Sequence, residues 1–182
     1  VVKHGDPMPG EDSLQQFLSF SNPLLNASGV IVFRSGDGLW TGTAEGLRCV
    51  AKVGEPVPSP TGYSVMVTSL SEPLLNARGQ VAFTAGFDGI YIKGGQGVWI
   101  TDREGVLRSV LLTGATLDVS NDAAVEDVRV VKRAALYGGS VEAGQAASLN
   151  DSGEMAVWVE FEDGSSALVT TSPGACPADL ND

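Results

Sequence analysis

One stretch of eleven residues occurs twice in this chain and limits the folds that the chain can adopt. Residues 23–33 read Pro-Leu-Leu-Asn-Ala-Ser-Gly-Val-Ile-Val-Phe, and residues 73–83 read Pro-Leu-Leu-Asn-Ala-Arg-Gly-Gln-Val-Ala-Phe. A looser third copy begins at Leu149. Similarity at a fixed period of roughly 20–50 residues is typical of repeat architectures. The chain is therefore expected to repeat one supersecondary unit.

Every copy contains the pattern Asn-x-x-Gly, at Asn26 and Gly29, at Asn76 and Gly79, and at Asn150 and Gly153. Asn is favoured at the first position of a type I turn because its side chain can bond the backbone two residues on, and Gly is favoured at the fourth. Runs of β-prone residues flank the pattern, so each copy is expected to form a hairpin. A second hairpin follows in the first two copies and carries Trp40 or Trp99.

Two hairpins per unit give four short strands, and the first two patterns are 50 residues apart. A unit of this kind is typical of a β-propeller blade. We therefore expect an all-β fold of β-propeller-type repeats, with four-stranded antiparallel blades and three blades per chain. The connections at 10–22 and 55–72 could be long ordered loops, or they could supply the innermost strand.

The two ends of the chain are complementary in sequence. Residues 1–9 align with residues 50–58, which include the end of the first unit's last strand. The third unit has strands expected at Met155 to Phe161 and at Ala167 to Thr171, but no fourth. The N-terminal strand is therefore expected to complete the last blade, because closure removes two unpaired sheet edges.

Three blades are fewer than the four to eight of most propellers. The missing blades are expected to come from a second copy, so that a dimer completes the ring, or from partner blades of a longer precursor. Complementary ends could also pair between successive molecules and build an open polymer.

The charge of the chain limits its partners. The formal net charge is −11, and hydrophobic residues make up 43% of the 182 residues. The apolar content is sufficient for a core. An acidic chain repels phosphate backbones and anionic lipids, so nucleic acid is not an expected partner. No apolar run approaches the roughly 18–20 residues of a membrane span, so none is expected.

The second copy and the residues after it form a longer succession, carried by Asn76, Gly79, Ala82, Phe83, Gly97, Val98, Trp99, Leu107 and Val110. This succession resembles the NxxGxxAF tandem-repeat family of secreted or surface-anchored bacterial proteins, which carry varied anchors. The first copy departs from the pattern at Val32 and Leu39, and the third has Val157 in place of Phe. The resemblance covers most of residues 1–172 and implies a secreted or cell-surface scaffold with no established reaction.

The tail from Cys176 to Asp182 resembles the opening of a dockerin-type Ca²⁺ loop. Asp179 and Asn181 match the first two ligand positions, where alternate oxygens converge on a hard cation. Asp182 stands where that family has Gly. The resemblance implies that residues 173–182 are a tail or linker toward a missing anchor or dockerin-like module.

The densest group of oxygen ligands begins at Asp118, Asn121 and Asp122 and continues to Glu126 and Asp127. A Ca²⁺ site there is a hypothesis, since the spacing fits no known loop, and solvated turn carboxylates are the alternative. Ca²⁺ is the one cofactor that the sequence suggests. The surrounding segment 118–147 is the least regular, and a functional insertion is expected in such a segment.

His4 is the only histidine, so one chain cannot supply a His-paired nucleophile or a multi-His metal site. By its alignment it is expected in a strand. Trp40 and Trp99 hold equivalent repeat positions, which favours packing between units over stacking on carbohydrate. Cys49 could be a small buried hydrophobe, or it could pair with Cys176 in an oxidising compartment.

No catalytic set of residues stands out, which favours a non-enzymatic, secreted or cell-surface scaffold that binds a protein or a glycan. One alternative is a hydrolase or lyase acting on polysaccharide, with paired carboxylates from a central channel or from the 118–147 segment. Another is a structural surface or filament subunit. Fold alone does not decide between them.

Overall fold

The computed structural model describes residues 2–10, 15–60, 62–120, 122, 124–138 and 147–171. Throughout these ranges the backbone forms strands, turns and loops, and no helix occurs. The strands join in curled antiparallel sheets of four, six and four strands. The expected all-β class is therefore confirmed.

The first sheet holds the first copy of the repeat. Its four strands, paired in chain order, are β1 (Leu24–Leu25), β2 (Ile31–Ser35), β3 (Gly38–Thr43) and β4 (Gly46–Lys52). The Asn26–Gly29 turn joins β1 to β2, and Phe33 in β2 lies opposite Trp40 in β3. The two hairpins expected for this unit are confirmed.

The second sheet holds the second copy and has six strands. They are β5 (Pro56–Val57), β6 (Val65–Leu70), β7 (Leu74–Leu75), β8 (Val81–Asp88), β9 (Gly95–Thr101) and β10 (Leu107–Leu112). β6 and β7 pair with one edge of β8, and β9 pairs with the other. The connection at 55–72 therefore supplies two strands, β5 and β6, rather than a loop alone.

The third sheet contains β11 (Thr116–Asp118), β12 (Val128–Ala135), β13 (Met155–Phe161) and β14 (Ser166–Thr171), paired in that order. β13 and β14 lie where the sequence predicts them. β12 comes from the irregular 118–147 segment and pairs with β13. It occupies the place beside β13 that β6 holds beside β8.

The three sheets are stacked through their apolar faces. One cluster of buried residues joins Val32 and Leu39 of the first sheet to Phe83 and Trp99 of the second. A second cluster, which includes Val98, joins the opposite face of the second sheet to the third. Successive residues of a strand point to opposite faces, so the middle sheet is buried on both sides.

The expected closure by the N-terminal strand is not found within this chain. Lys3 donates its backbone N–H to the carboxylate of Asp6, and Gly5 and Phe17 are joined by a backbone hydrogen bond of 2.8 Å. Residues 2–8 thus lie along the first sheet, and β14 pairs only with β13 within the described ranges. The start of the chain repeats the contact of residues 54–57 with β6, which keeps it from reaching the third sheet. His4 lies exposed in a turn rather than in the expected strand.

Candidate functional site

The Asn-x-x-Gly turns form the most regular polar feature of the molecule. In the second turn the Asn76 side-chain oxygen accepts hydrogen bonds from the backbone of Arg78 at 3.1 Å and of Gln80 at 2.9 Å. The N–H of Gly79 donates to the Asn76 carbonyl at 3.1 Å, and Gly79 has a φ of 81°. A positive φ of this size favours glycine, which explains the fourth position of the pattern.

The three turns are linked to one another by their asparagines. The side-chain amide of Asn26 donates to the carbonyl oxygen of Asn76 at 2.9 Å, and that of Asn76 donates to the carbonyl oxygen of Asn150 at 3.0 Å. We call this chain of contacts the asparagine ladder. The first two turns therefore use the oxygen of their Asn side chain for their own fold and the nitrogen to bind the next turn.

The ladder ends at the third turn. The Asn150 side-chain nitrogen donates to the carboxylate of Glu154 in its own turn at 2.7 Å. The backbone of Ala77 also accepts from Ser28 and donates to Asp151, so neighbouring turns contact each other through more than the asparagines. The asparagines are thus structural, as the repeat predicts, although no feature of the sequence indicates that the turns bind each other.

The equivalent tryptophans are packing residues. Trp40 and Trp99 are both completely buried, and a β-carbon added at Gly97 would lie 2.7 Å from the Trp99 ring. The indole N–H of Trp99 donates to the carbonyl of Pro58 at 2.8 Å. That of Trp40 is buried without an acceptor among the described residues. Neither ring is available to stack on a carbohydrate.

The end of the sheets away from the ladder carries the most exposed aromatic residue. β8 begins at the Asn76–Gly79 turn, so the loop at 89–94 after β8 lies at the opposite end. Tyr91 in this loop is 93% exposed and Ile90 is 68% exposed. Tyr63, which precedes β6 at the same end, is 64% exposed. The apolar surface at this end is therefore presented by loops rather than by strands.

A polar cleft of about 350 Å³ lies beside this loop, between the second and third sheets. Gly94, Gln96 and Thr113 line one side, and Lys132 and Arg133 line the other. The side-chain oxygen of Gln96 is buried and has no donor among the described residues. The cleft therefore presents hydrogen-bonding groups that a polar ligand could use.

The cations of the cleft are paired with one carboxylate. Lys132 contacts Glu160 at 2.7 Å and Arg133 contacts it at 3.1 Å. The hydrogen bond from Lys132 is the main reason that the pKa of Glu160 lies below its usual value. Arg133 also lies over the Trp158 ring, 5.4 Å from its centre. Two positive charges thus share one negative charge, so the positive charge of the cleft is partly neutralised.

The aspartates of segment 118–127 accept hydrogen bonds from the backbone of the same segment. The Asp118 carboxylate accepts hydrogen bonds from the backbone of Ser120 and Asp127, and the Asp122 carboxylate accepts one from Ala124. Asn121 lies outside the described residues. In the part of the chain that the structure describes, no three His, Cys, Asp or Glu side chains are grouped as metal ligands would be. The Ca²⁺ hypothesis for this segment stays a prediction.

Two carboxylates share the guanidinium of Arg129, which lies 2.8 Å from Asp127 and 3.4 Å from Asp163. The hydrogen bond from Arg129 lowers the pKa of Asp127, and that from Ser165 lowers the pKa of Asp163. A glycosidase needs one carboxylic acid with a raised pKa. This pair does not provide one.

The tail residues Asp179 and Asn181 and the thiol of Cys176 lie outside the described residues. Cys49 lies in β4, partly buried beside the cluster of Phe17, Phe33 and Trp40. Its pairing with Cys176 stays a prediction. None of the described residues forms a helix long and apolar enough to cross a membrane.

Residues 34–177 match the family of unknown function DUF7453. The match extends over well more than half of the chain, so the chain, an all-β repeat protein, belongs to this family. The searches of curated proteins and of solved structures gave no match. The family description states no activity.

Proposed function

We propose that this chain is a non-enzymatic, secreted or cell-surface β-repeat scaffold that binds a glycan or a protein through its loops. The observation that carries the proposal is the difference between the two ends of the sheets. One end is joined by the asparagine ladder. The other carries Tyr91, 93% exposed, beside a polar cleft. Binding residues commonly lie on loops held by a rigid framework.

The proposed scaffold is of the β-propeller type, with the three sheets as three blades. Support comes from the repeated unit and from the stacking of each sheet on the next through equivalent residues. Further blades would come from a second copy or from a longer precursor, as the low blade number predicts. The secreted or surface location is proposed from the resemblance to the NxxGxxAF repeat family. Ca²⁺ stays a hypothesis for Asp118 and Asp122 and for the tail.

The ligand is proposed to bind against Tyr91 and to extend into the cleft. An exposed tyrosine ring offers an apolar face and a polar hydroxyl. The buried side-chain oxygen of Gln96, which has no donor among the described residues, adds an acceptor in the cleft that Gly94 of the same loop also lines. Sites for small molecules combine apolar surface with a few convergent polar groups, and a sugar has the same two kinds of surface.

The proposal is tested by binding to an array of neutral and acidic polysaccharides. Tyr91→Ala is expected to weaken binding by about tenfold, which corresponds to about 1.4 kcal/mol. Val106→Ala is the matched control, because Val106 is 53% exposed at the ladder end. Equal loss in both variants, or an unchanged affinity of Tyr91→Ala, would contradict this site. If no glycan binds, the proposal is restricted to a protein ligand.

The polysaccharide hydrolase is the weaker candidate. Among the described residues Glu160, Asp127 and Asp163 all have lowered pKa values, so each is ionised at neutral pH. Detection of cleavage products from any polysaccharide of the array would support the hydrolase instead. A structural surface or filament subunit is a third candidate.

A further inference from the structure

Each sheet has two different faces, and the chain uses them in one fixed order. We call the face that carries Val32 in the first sheet, Ala82 in the second and Ala156 in the third the forward face. We call the opposite face the rear face. Within the chain, the forward face of one sheet always contacts the rear face of the next.

The forward face is buried in the first two sheets. Leu39 and Val98 hold equivalent positions, because each lies opposite the residue that follows Phe33 or Phe83. Both are completely buried, as are Val32 and Ala82. In both sheets, the side chain at the position of Leu39 and Val98 is therefore covered by the next sheet.

The forward face of the third sheet is uncovered. Leu168 lies opposite Trp158, which places it at the position of Leu39 and Val98. Leu168 is 76% exposed, and Ala156, the equivalent of Ala82, is also exposed. A leucine thus occupies a repeat position that is fully buried in both other sheets.

Part of the rear face of the first sheet shows the complementary exposure, although Phe33 and Trp40 on this face are covered by Phe17 and the N-terminal segment. Leu25 and Phe20 are 69% and 42% exposed. Their equivalents 50 residues later, Leu75 and Leu70, contact the first sheet, and Leu70 is only 7% exposed. Phe20 stacks on Phe17 at 5.9 Å, which holds its ring against this face.

The ladder is open in the same places. The Asn150 side-chain nitrogen contacts Glu154 in its own turn, as that of Asn76 contacts Gln80, but it contacts no further turn within the described ranges. In the part of the chain that the structure describes, the carbonyl oxygen of Asn26 accepts from the N–H of Gly29 alone, whereas that of Asn76 accepts from the N–H of Gly79 and also from the side-chain amide of Asn26. Among the described residues, the second N–H of the Asn150 amide and the second acceptor position of the Asn26 carbonyl therefore make no bond to another turn, and they belong to the two sheets whose outer faces are exposed at Leu168 and at Leu25.

We infer that the uncovered forward face of the third sheet is a docking surface for a second copy of this chain, which binds through the rear face of its first sheet. The contact continues the stacking already present between the sheets of one chain, so its chemistry is known from the first two interfaces. Leu168 and Ala156 of one copy cover Leu25 and Phe20 of the other. The side-chain amide of Asn150 keeps its contact with Glu154 and donates its second N–H to the carbonyl of Asn26 in the partner, as Asn76 donates to both Gln80 and Asn150.

The two faces differ, so the contact is head-to-tail rather than the same patch on both copies. Such contacts close into a ring when the rotation permits and otherwise give an open polymer. The inference rests on the face-to-face stacking of the proposed scaffold and is independent of its ligand.

Sedimentation velocity over a wide range of concentration tests the inference with the whole chain. The wild-type chain is expected to associate, and Leu168→Lys and Leu25→Glu are each expected to weaken association at least tenfold. Val106→Lys is the control, because Val106 is an exposed apolar residue, 53% accessible, in the turn before β10 and on neither face. Far-ultraviolet circular dichroism establishes that each variant retains its strands.

Mixing the two variants gives the sharper result. The Leu168→Lys chain keeps an intact rear face and the Leu25→Glu chain keeps an intact forward face, so one good contact remains and a heterodimer is expected. A monomeric wild-type chain at every concentration would overturn the inference. Association unchanged in both variants would do the same. Either result would leave glycan binding at Tyr91 unaffected, so the two proposals fail separately.

Discussion

The side-chain nitrogen of Asn76 lies 3.0 Å from the carbonyl oxygen of Asn150, 74 residues further along the chain. Asn76 is 3% exposed, and the same nitrogen also contacts the side-chain oxygen of Gln80 at 2.9 Å. One buried amide thus joins two copies of the repeat. Its hydrogen bonds cannot be replaced by water without opening the stack.

Replacing Asn76 by Ala is expected to lower the free energy of unfolding by roughly 2–4 kcal/mol, because buried groups left unpaired cost about 1–3 kcal/mol each. Asn150→Ala is the matched comparison, since the hydrogen bonds that the structure describes for the Asn150 side chain all lie within its own exposed turn. It should cost about 1 kcal/mol. Urea denaturation measures both. Equal losses would show that the contact between turns contributes nothing.

The sequence predicted the turns because their chemistry is local. The Asn26 side chain accepts from the backbone of Ser28, two residues on, as the pattern predicts. The ladder is a contact between turns that are 50 and 74 residues apart, and no property of a single turn encodes it. The place of residues 155–161 and 167–171 in the third copy of the repeat predicts strands β13 and β14. The segment that forms β6 lies among serines and prolines, a composition that also fits a loop, so the sequence does not decide between a loop and a strand there.

The prediction that the N-terminal strand completes the third sheet is wrong within one chain, because the similarity on which it rests describes local contacts. Residues 1–9 match residues 50–58, and the match is real, since Gly5 and Phe17 are bonded as Gly54 and Val67 are. The similarity predicts what residues 2–8 contact locally. It does not predict which sheet completes β14.

Gly97→Ala is expected to destabilise the fold by about 1–3 kcal/mol, the usual cost of overpacking a core. The new β-carbon would lie 2.7 Å from the ring of Trp99, which is completely buried, and 3.0 Å from the carbonyl of Leu111. Gly138→Ala is the control, because its β-carbon would meet only Leu74 at 3.5 Å. Thermal unfolding should separate the two variants. A Tm unchanged in Gly97→Ala would mean that the ring shifts freely.

The stability of the chain is expected to fall on acidification below about pH 4, near the unfolded pKa of aspartate. Burial raises the pKa of Asp102, but hydrogen bonds from Val106 and Arg108 outweigh it and the pKa is lowered overall. A carboxylate with a lowered pKa stabilises the fold above its unfolded pKa, and this contribution is lost as the pH falls through the folded pKa. Asp102→Asn should therefore flatten the acid side of the stability curve.

Urea midpoints between pH 6 and pH 3 measure this dependence. Glu45→Gln is the comparison, because Glu45 lies in the equivalent turn of the first sheet and makes no ion pair among the described residues. Should Asp102→Asn keep the full slope of the wild-type chain, the turn carboxylate would have no part in acid stability.

Leu39 and Leu168 are the same residue at the same repeat position, with 0% and 76% of the side chain exposed. Leu39→Ala is expected to cost roughly 2–5 kcal/mol, because it leaves a cavity between the first two sheets. Leu168→Ala should change the stability of the dilute monomer by less than about 0.5 kcal/mol, as exposed substitutions usually do. If the third forward face is covered by a second copy, the cost of Leu168→Ala must grow with protein concentration, while that of Leu39→Ala must not. Urea denaturation at low and high concentration distinguishes the two behaviours, and a Leu168→Ala cost independent of concentration would contradict the docking of a second copy.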